Sequence, residues 1–184
     1  MSAPETAEPV RRSSRGRRPA LFYAVALLVF LLDQSTKLLA VRHLEIGRPI
    51  PVLGPVLSLN LRENTGAAWG LLAQHSSWLA VIGVAMVIAL VVAGLRAGQM
   101  PAALRVALPV LLGGAMGNVA DRVGRGAVID FLDFHVWPVF NLADTAIVVS
   151  AILICYSLIV GEVRGTGTEP DDAVRDGEAE CDQC

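Results

Sequence analysis

Four mostly apolar stretches divide this chain, running from about Ala20 to Leu39, Ser77 to Leu95, Ala102 to Ala120 and Val139 to Val160. Each is near the roughly 20 residues that span a bilayer. Lipid offers no hydrogen bonds, so each stretch must satisfy its own backbone, and a helix is the simplest way to do so. The composition agrees. Of 184 residues, 54% are hydrophobic and 17% are charged, and the mean hydropathy is +0.56. A soluble domain carries about a quarter charged residues. The expected fold class is an all-α membrane protein with four transmembrane helices and a small β-sheet on the outer membrane face.

The ends differ from the middle. Arg11, Arg12, Arg15, Arg17 and Arg18 crowd the start, and Glu169, Asp171, Asp172, Asp176, Glu178, Glu180 and Asp182 crowd the finish. Neither end has apolar residues enough for a core of its own. The organisation read from this is a disordered basic cytoplasmic tail over 1–19, a four-span unit over 20–161 and a disordered acidic cytoplasmic tail over 162–184. The Arg-rich start before an apolar run is reminiscent of a secretory signal, but no small-x-small cleavage site follows it, so the run reads as a retained span. Cys155 reads as a packing residue within the fourth span, and Cys181 and Cys184 as a C-x-x-C with no second pair to complete a metal site.

Orientation follows Lys and Arg. The N-terminal arginines, Arg96 and Arg105 between spans two and three, and Arg164 after span four all fall on one side, which is therefore cytoplasmic. Segments 40–76 and 121–138 are expected outside. Within the first of these, Leu57, Leu59 and Leu61 alternate with Ser58, Asn60 and Arg62, the period of a half-buried strand. Pro49, Pro51, Gly54 and Pro55 punctuate the chain before it. Trp69 and Trp78 suit an interfacial belt. Gly83, Gly94, Gly113, Gly114 and Gly117 suit close helix packing, and Pro109 is a candidate kink in the third span.

Ionisable groups at membrane depth are costly and point to function. Asp33 and Lys37 end the first span, Asn118 and Asp121 the third, and Asn141 and Asp144 open the fourth. Asp130 lies in a short re-entering segment between them. Structural readings compete for several of these. Asp33 and Lys37 are one helical turn apart and can neutralise each other. Asp121 and Arg122 read as an interfacial ion pair, and Asp133 as a solvated loop residue. Asp144, one turn into an apolar span, and Asp130, flanked by Val128, Ile129, Phe131 and Leu132, point to chemistry. His43, His75 and His135 are isolated and no H-E-x-x-H occurs, which disfavours a zinc protease. No serine sits in a G-x-S-x-G elbow. Neither a phosphate loop nor a nucleic-acid-binding pattern is present. Hydrolysis would have to come from two carboxylates.

Five segments in order resemble the lipoprotein signal peptidases (signal peptidase II). They are Asp33-Gln34-Ser35-Thr36-Lys37, Glu63-Asn64-Thr65-Gly66-Ala67-Ala68-Trp69-Gly70, Gly113 through Arg122, Gly126-Ala127-Val128-Ile129-Asp130-Phe131, and Phe140-Asn141-Leu142-Ala143-Asp144. The resemblance covers about residues 20–161. It implies an intramembrane aspartyl endopeptidase acting on diacylglyceryl-modified prolipoproteins, cutting before the lipidated cysteine and sensitive to globomycin. It implies that Asp130 and Asp144 are the catalytic pair. It also implies that Asn64, Asn118, Arg122 and Asn141 line the site, that Gly66 binds substrate or supports the site, and that Asp33, Lys37 and Asp121 support it. Such an enzyme is expected to need no metal or cofactor and to be monomeric. It would sit in the bacterial plasma membrane with both termini cytoplasmic, meeting its substrate near the outer leaflet. Two other classes compete: a metal-dependent membrane lipid phosphotransferase using Asp121, Asp130 and Asp133, and a small proton-coupled transporter relaying through Asp33 and Asp144.

Overall fold

The computed structural model describes residues 17–66 and 76–165. The outer parts of both tails, Trp69, His75, and Cys181 with Cys184 lie outside the described residues. The chain runs α1 (Arg17–His43), β1 (Ile50–Leu53), β2 (Leu57–Asn64), α2 (Ser76–Gly94), a 3₁₀ turn (Ala97–Gln99), α3 (Ala102–Arg125), β3 (Val128–Asp133) and α4 (Leu142–Gly165). All four α-helices are long and apolar enough to cross a membrane. Their outward side chains are apolar and exposed, among them Leu28, Ile82, Val92, Ile152 and Leu158, as a lipid solvent demands.

α3 is the central helix and packs on α1, α2 and α4. Its glycines explain how. A Cβ at Gly114 would stand 2.7 Å from the Ala143 carbonyl oxygen, and one at Gly117 would collide with the Asp33 carboxylate. Only glycine lets the polar ends of α1 and α4 close on this face of α3. Away from the polar end, Phe22, Ala26, Leu90 and Leu112 form an apolar cluster between helices. Pro109 lies buried inside α3. The helix then ends on Gly126, in the left-handed region at φ 78°, whose N–H bonds the Arg122 carbonyl at 3.1 Å.

A three-stranded antiparallel sheet in the order β1-β2-β3 sits at the end of the bundle where α1 and α3 finish and α4 begins. Ala40 and Leu44 of the α1 end cluster with Leu61, Ile129 and Phe131 of the sheet. Two expectations change here and a third gains detail. Residues 128–133 form a sheet strand, because the apolar run finds ladder partners in β2 on one side and Phe140 on the other. The alternation in β2 does mark a strand, but Ser58 and Asn60 are buried while Leu57 and Leu59 are only partly so. The two polar residues can go inside because each finds a hydrogen-bond partner there. Asp133 is likewise a buried strand residue and not a solvated loop residue.

Candidate active site

The site forms where three helix ends meet the sheet. Lys37 is its electrostatic anchor. Its side chain is 1% exposed, and its Nζ lies 2.8 Å from Asp33 Oδ2 and 2.8 Å from Asp121 Oδ2. The same ammonium donates to Asn118 Oδ1 at 3.0 Å. A buried ammonium is tolerable only with such partners. The pairing of Asp33 with Lys37 read from their spacing is present. The pairing of Asp121 with Arg122 is replaced, since Asp121 faces inward to Lys37 and also accepts the Ile129 N–H at 3.3 Å. That last bond ties α3 to β3. Asp33 does the same for α4, accepting the Ala143 N–H at 2.9 Å and so satisfying an amide of that helix's first turn.

Asn141 joins the two remaining carboxylates. It is fully buried, immediately before α4, and delivered there by the bridge between Phe140 and Leu132. Its Nδ2 donates to Asp130 Oδ1 at 2.7 Å and to Asn118 Oδ1 at 3.2 Å. Its Oδ1 accepts the backbone N–H of Asp144 at 2.8 Å. Asp144 Oδ2 accepts the backbone N–H of Asn141 at 3.3 Å, and Asp144 Oδ1 accepts Asn118 Nδ2 at 2.8 Å. The second oxygen of Asp130 accepts Asn64 Nδ2 at 3.0 Å. Each oxygen of both carboxylates therefore receives an N–H from a neutral group.

Burial, and then the proximity of Asp144, push the Asp130 carboxyl up to about 7 from its usual 3.8. Two carboxyls sharing a site disfavour double ionisation. Arg122 lies close enough to Asp144, Asp130 and Asp121 to feel all three charges. Its NH2 group reaches the Gly66 carbonyl at 3.5 Å, while its buried Nε has no partner among the described residues. Gly66 itself donates its N–H to Asn64 Oδ1 at 3.0 Å, holding that amide in place.

All ten residues singled out from the sequence thus fall into one connected set: Asp33, Lys37, Asn64, Gly66, Asn118, Asp121, Arg122, Asp130, Asn141 and Asp144. The reading missed Gln34, whose Nε2 donates to Asp33 Oδ2 at 3.2 Å, to the Gly117 carbonyl at 3.2 Å and to Asp121 Oδ1 at 3.4 Å. A polar side chain inside the Asp33–Lys37 box was the available signal. The three carboxylates of the competing Mg²⁺ reading are dispersed. Asp121 is held by Lys37, and Asp133 turns away to Asn60 on the opposite face of β3 from Asp130.

Residues 25–160 match the family model Peptidase_A8, described as Signal peptidase (SPase) II. The chain belongs to the signal peptidase II family. Among its relatives, the lipoprotein signal peptidase of Bacillus velezensis is 41% identical over 139 residues, covering 73% of this chain and 90% of that one. The one from Polynucleobacter necessarius is 44% identical over 151 residues, covering 78% and 89%. The one from Bacillus subtilis is 37% identical over 144 residues, covering 76% and 94%. A bacterial membrane enzyme solved by the in meso method at 2.3 Å superposes with a TM-score of 0.71 at 31% identity, over 85% of this chain and 95% of that one. A second, at 1.9 Å, gives 0.68 at 33% identity over 76% and 92%. This membership makes the protein a multi-pass membrane peptidase, and the polar cluster is its candidate active site.

Proposed function

We propose that this chain is an aspartic endopeptidase that removes signal peptides from diacylglyceryl-modified prolipoproteins, cutting before the lipidated cysteine. The observation that carries the reading is the sharing of Asn141 by Asp130 and Asp144, each carboxylate oxygen being held by a neutral N–H donor. Neutral donors fix two carboxylates without cancelling their charge, so the pair can keep one proton and exchange it. In the proposed reaction the ionised carboxylate takes a proton from water, and the resulting hydroxide attacks the scissile carbonyl carbon. The protonated carboxyl donates a hydrogen bond to the carbonyl oxygen as it becomes an oxyanion. Proton return to the leaving amine breaks the C–N bond and restores the singly protonated pair. One carboxyl of the pair serves as the acid and the other as the base.

Lys37, Asp33 and Asp121 support this pair at one remove. Lys37 donates to the oxygen of Asn118, which orients that amide's NH₂ toward Asp144. The distribution of Lys and Arg supports cytoplasmic termini and a site near the outer leaflet. There the lipid of a substrate stays in the bilayer while its peptide bond meets water.

The test is incubation of the purified protein with a diacylglyceryl-modified prolipoprotein, with and without globomycin. Release of the signal peptide, blocked by globomycin, is the expected result. An intact substrate in the presence of folded enzyme would overturn the proposal.

A further inference from the structure

The even-numbered residues of β2 change face partway along the strand. Asn60 Nδ2 donates to Asp133 Oδ2 at 2.8 Å, and Asn64 Nδ2 donates to Asp130 Oδ2 at 3.0 Å. Successive side chains of a strand point to opposite faces, so Asp133 and Asp130 lie on opposite faces of β3. A regular strand could not send residues 60 and 64 to both.

The register explains the change. Ser58 opposes Asp133 and Leu59 opposes Leu132, but Arg62 opposes Asp130 and Asn64 opposes Val128, with an irregularity between Leu59 and Arg62. Asn60 and Leu61 together face the single residue Phe131, which is a β-bulge. Had the earlier register continued, Asn64 would oppose Ala127 and present its amide to the face that carries Ile129 and Phe131. The extra residue turns Asn64 onto Asp130.

The bulge is pinned from one side. Both oxygens of Asp133 are engaged, Oδ2 by Asn60 and Oδ1 by the His135 N–H at 2.8 Å. His135 sits at φ 62°, a left-handed conformation that a non-glycine residue needs a reason to adopt. Its ring reaches back to Ser58 Oγ, with Nε2 at 3.1 Å. The Asn60 hydrogen bond, followed by that from His135, holds the Asp133 carboxyl below its usual range, so it is a standing acceptor.

We propose that Asn60 and Asp133 are positioning residues for the peptidase reaction: their hydrogen bond pins the bulge that aims Asn64 at Asp130. This rests on the two-carboxylate reading above. Neither residue touches the carboxylate pair, and nothing in their own chemistry is consumed.

Turnover of a lipid-modified prolipoprotein by the full-length protein, in detergent or liposomes, tests it. Asn60→Asp sets two carboxylates against each other and should lower kcat about 10- to 100-fold, the scale typical of outer supporting partners. Adding Asp133→Asn reverses donor and acceptor and still leaves an oxygen for the His135 N–H. That double variant should recover kcat to within about twofold of wild type. Asn64→Ala should cost much in the wild-type background and little on top of Asn60→Asp, since the amide is by then already misdirected. Losses that multiply, or a swap that rescues nothing, overturn the proposal. If Asn60→Asp is not recovered folded, Asn60→Ala serves for the same comparison with Asn64→Ala. Asp130→Asn is run alongside. If it turns over normally, the two-carboxylate reading itself falls. If it is inactive while the other losses multiply, only the role of the bulge falls.

Discussion

Asn141 and Asp144 cap each other. The amide oxygen of Asn141 accepts the backbone N–H of Asp144 at 2.8 Å, and the carboxylate of Asp144 accepts the backbone N–H of Asn141 at 3.3 Å. This reciprocal arrangement is a capping box at the start of α4. One carboxylate of the proposed catalytic pair is thus also part of the helix terminus, and its position is fixed by the backbone.

Asp130→Asn and Asp144→Asn should each abolish turnover of a lipid-modified substrate. Asn keeps the shape but cannot exchange the proton. It also turns an NH₂ toward one of the N–H donors that now meet an oxygen, so each variant should lose about 1–3 kcal/mol of stability. The double variant should be scarcely less active than either single one, because the pair works as a unit. Cleavage assays and thermal unfolding on the purified proteins check both parts. Near-normal rates in either single variant would refute the mechanism.

The pH profile carries a signed expectation. The Asp130 carboxyl is raised to about 7, first by burial and then by Asp144, so it holds its proton below that pH and loses it above. Activity that needs one proton on the pair falls as pH rises through about 7. It falls again in acid, once the second carboxylate takes a proton too. The hydrogen bond from Asn64 favours the ionised form of Asp130. Asn64→Ala should therefore move the alkaline arm to higher pH. A profile of kcat/KM against pH for both proteins decides, and a shift to lower pH would contradict the assignment.

Lys37→Met should be among the more destabilising single changes in the chain. It leaves the buried carboxylates of Asp33 and Asp121 without their cation, at about 3–5 kcal/mol. Adding Asp121→Asn should recover part of that loss by removing one of the stranded charges. Thermal unfolding in detergent measures this. Equal stability of Lys37→Met and wild type would show that the triad contributes nothing to the fold.

Reporter fusions after Gly161 should report a cytoplasmic location, and fusions near Pro51 an external one. The basis is the placement of Arg96, Arg105 and Arg164 with the N-terminal arginines. The reverse pattern would put the site on the side opposite to that proposed.

The sequence made the spans legible because crossing a bilayer is a matter of length and apolarity, which a one-dimensional reading captures. The polar residues stood out for the same reason, as exceptions within apolar runs. Pairing was harder to read. The ion pair one turn apart on α1 was visible, but Asp121 is 84 positions from Lys37 in the chain and only α3 packing brings it there. β3 was missed as a strand because the run Val128–Asp133 is buried nearly throughout and shows no alternation. β2 is legible in its period of two, but the period cannot say which side its hydrogen-bond partners occupy, and Ser58 and Asn60 are buried together with Leu61. The capping box was available in advance: Asn141 followed three residues later by Asp144 is its signature.

Lys37 has a consequence for the birth of the molecule. The helix that carries it is the first of the four to leave the ribosome, and Asp33, one turn away, can neutralise it at once. α1 can therefore enter the bilayer as a pair with no net charge, at far lower cost than a bare ammonium. Asp121 and Asn118 arrive only with α3, and Asp144 only with α4. A chain halted after two helices holds an ion pair and neither carboxylate of the proposed pair. If Asp130 and Asp144 are the working pair, proteolytic competence is the last property this membrane protein acquires, deferred until its final helix has docked.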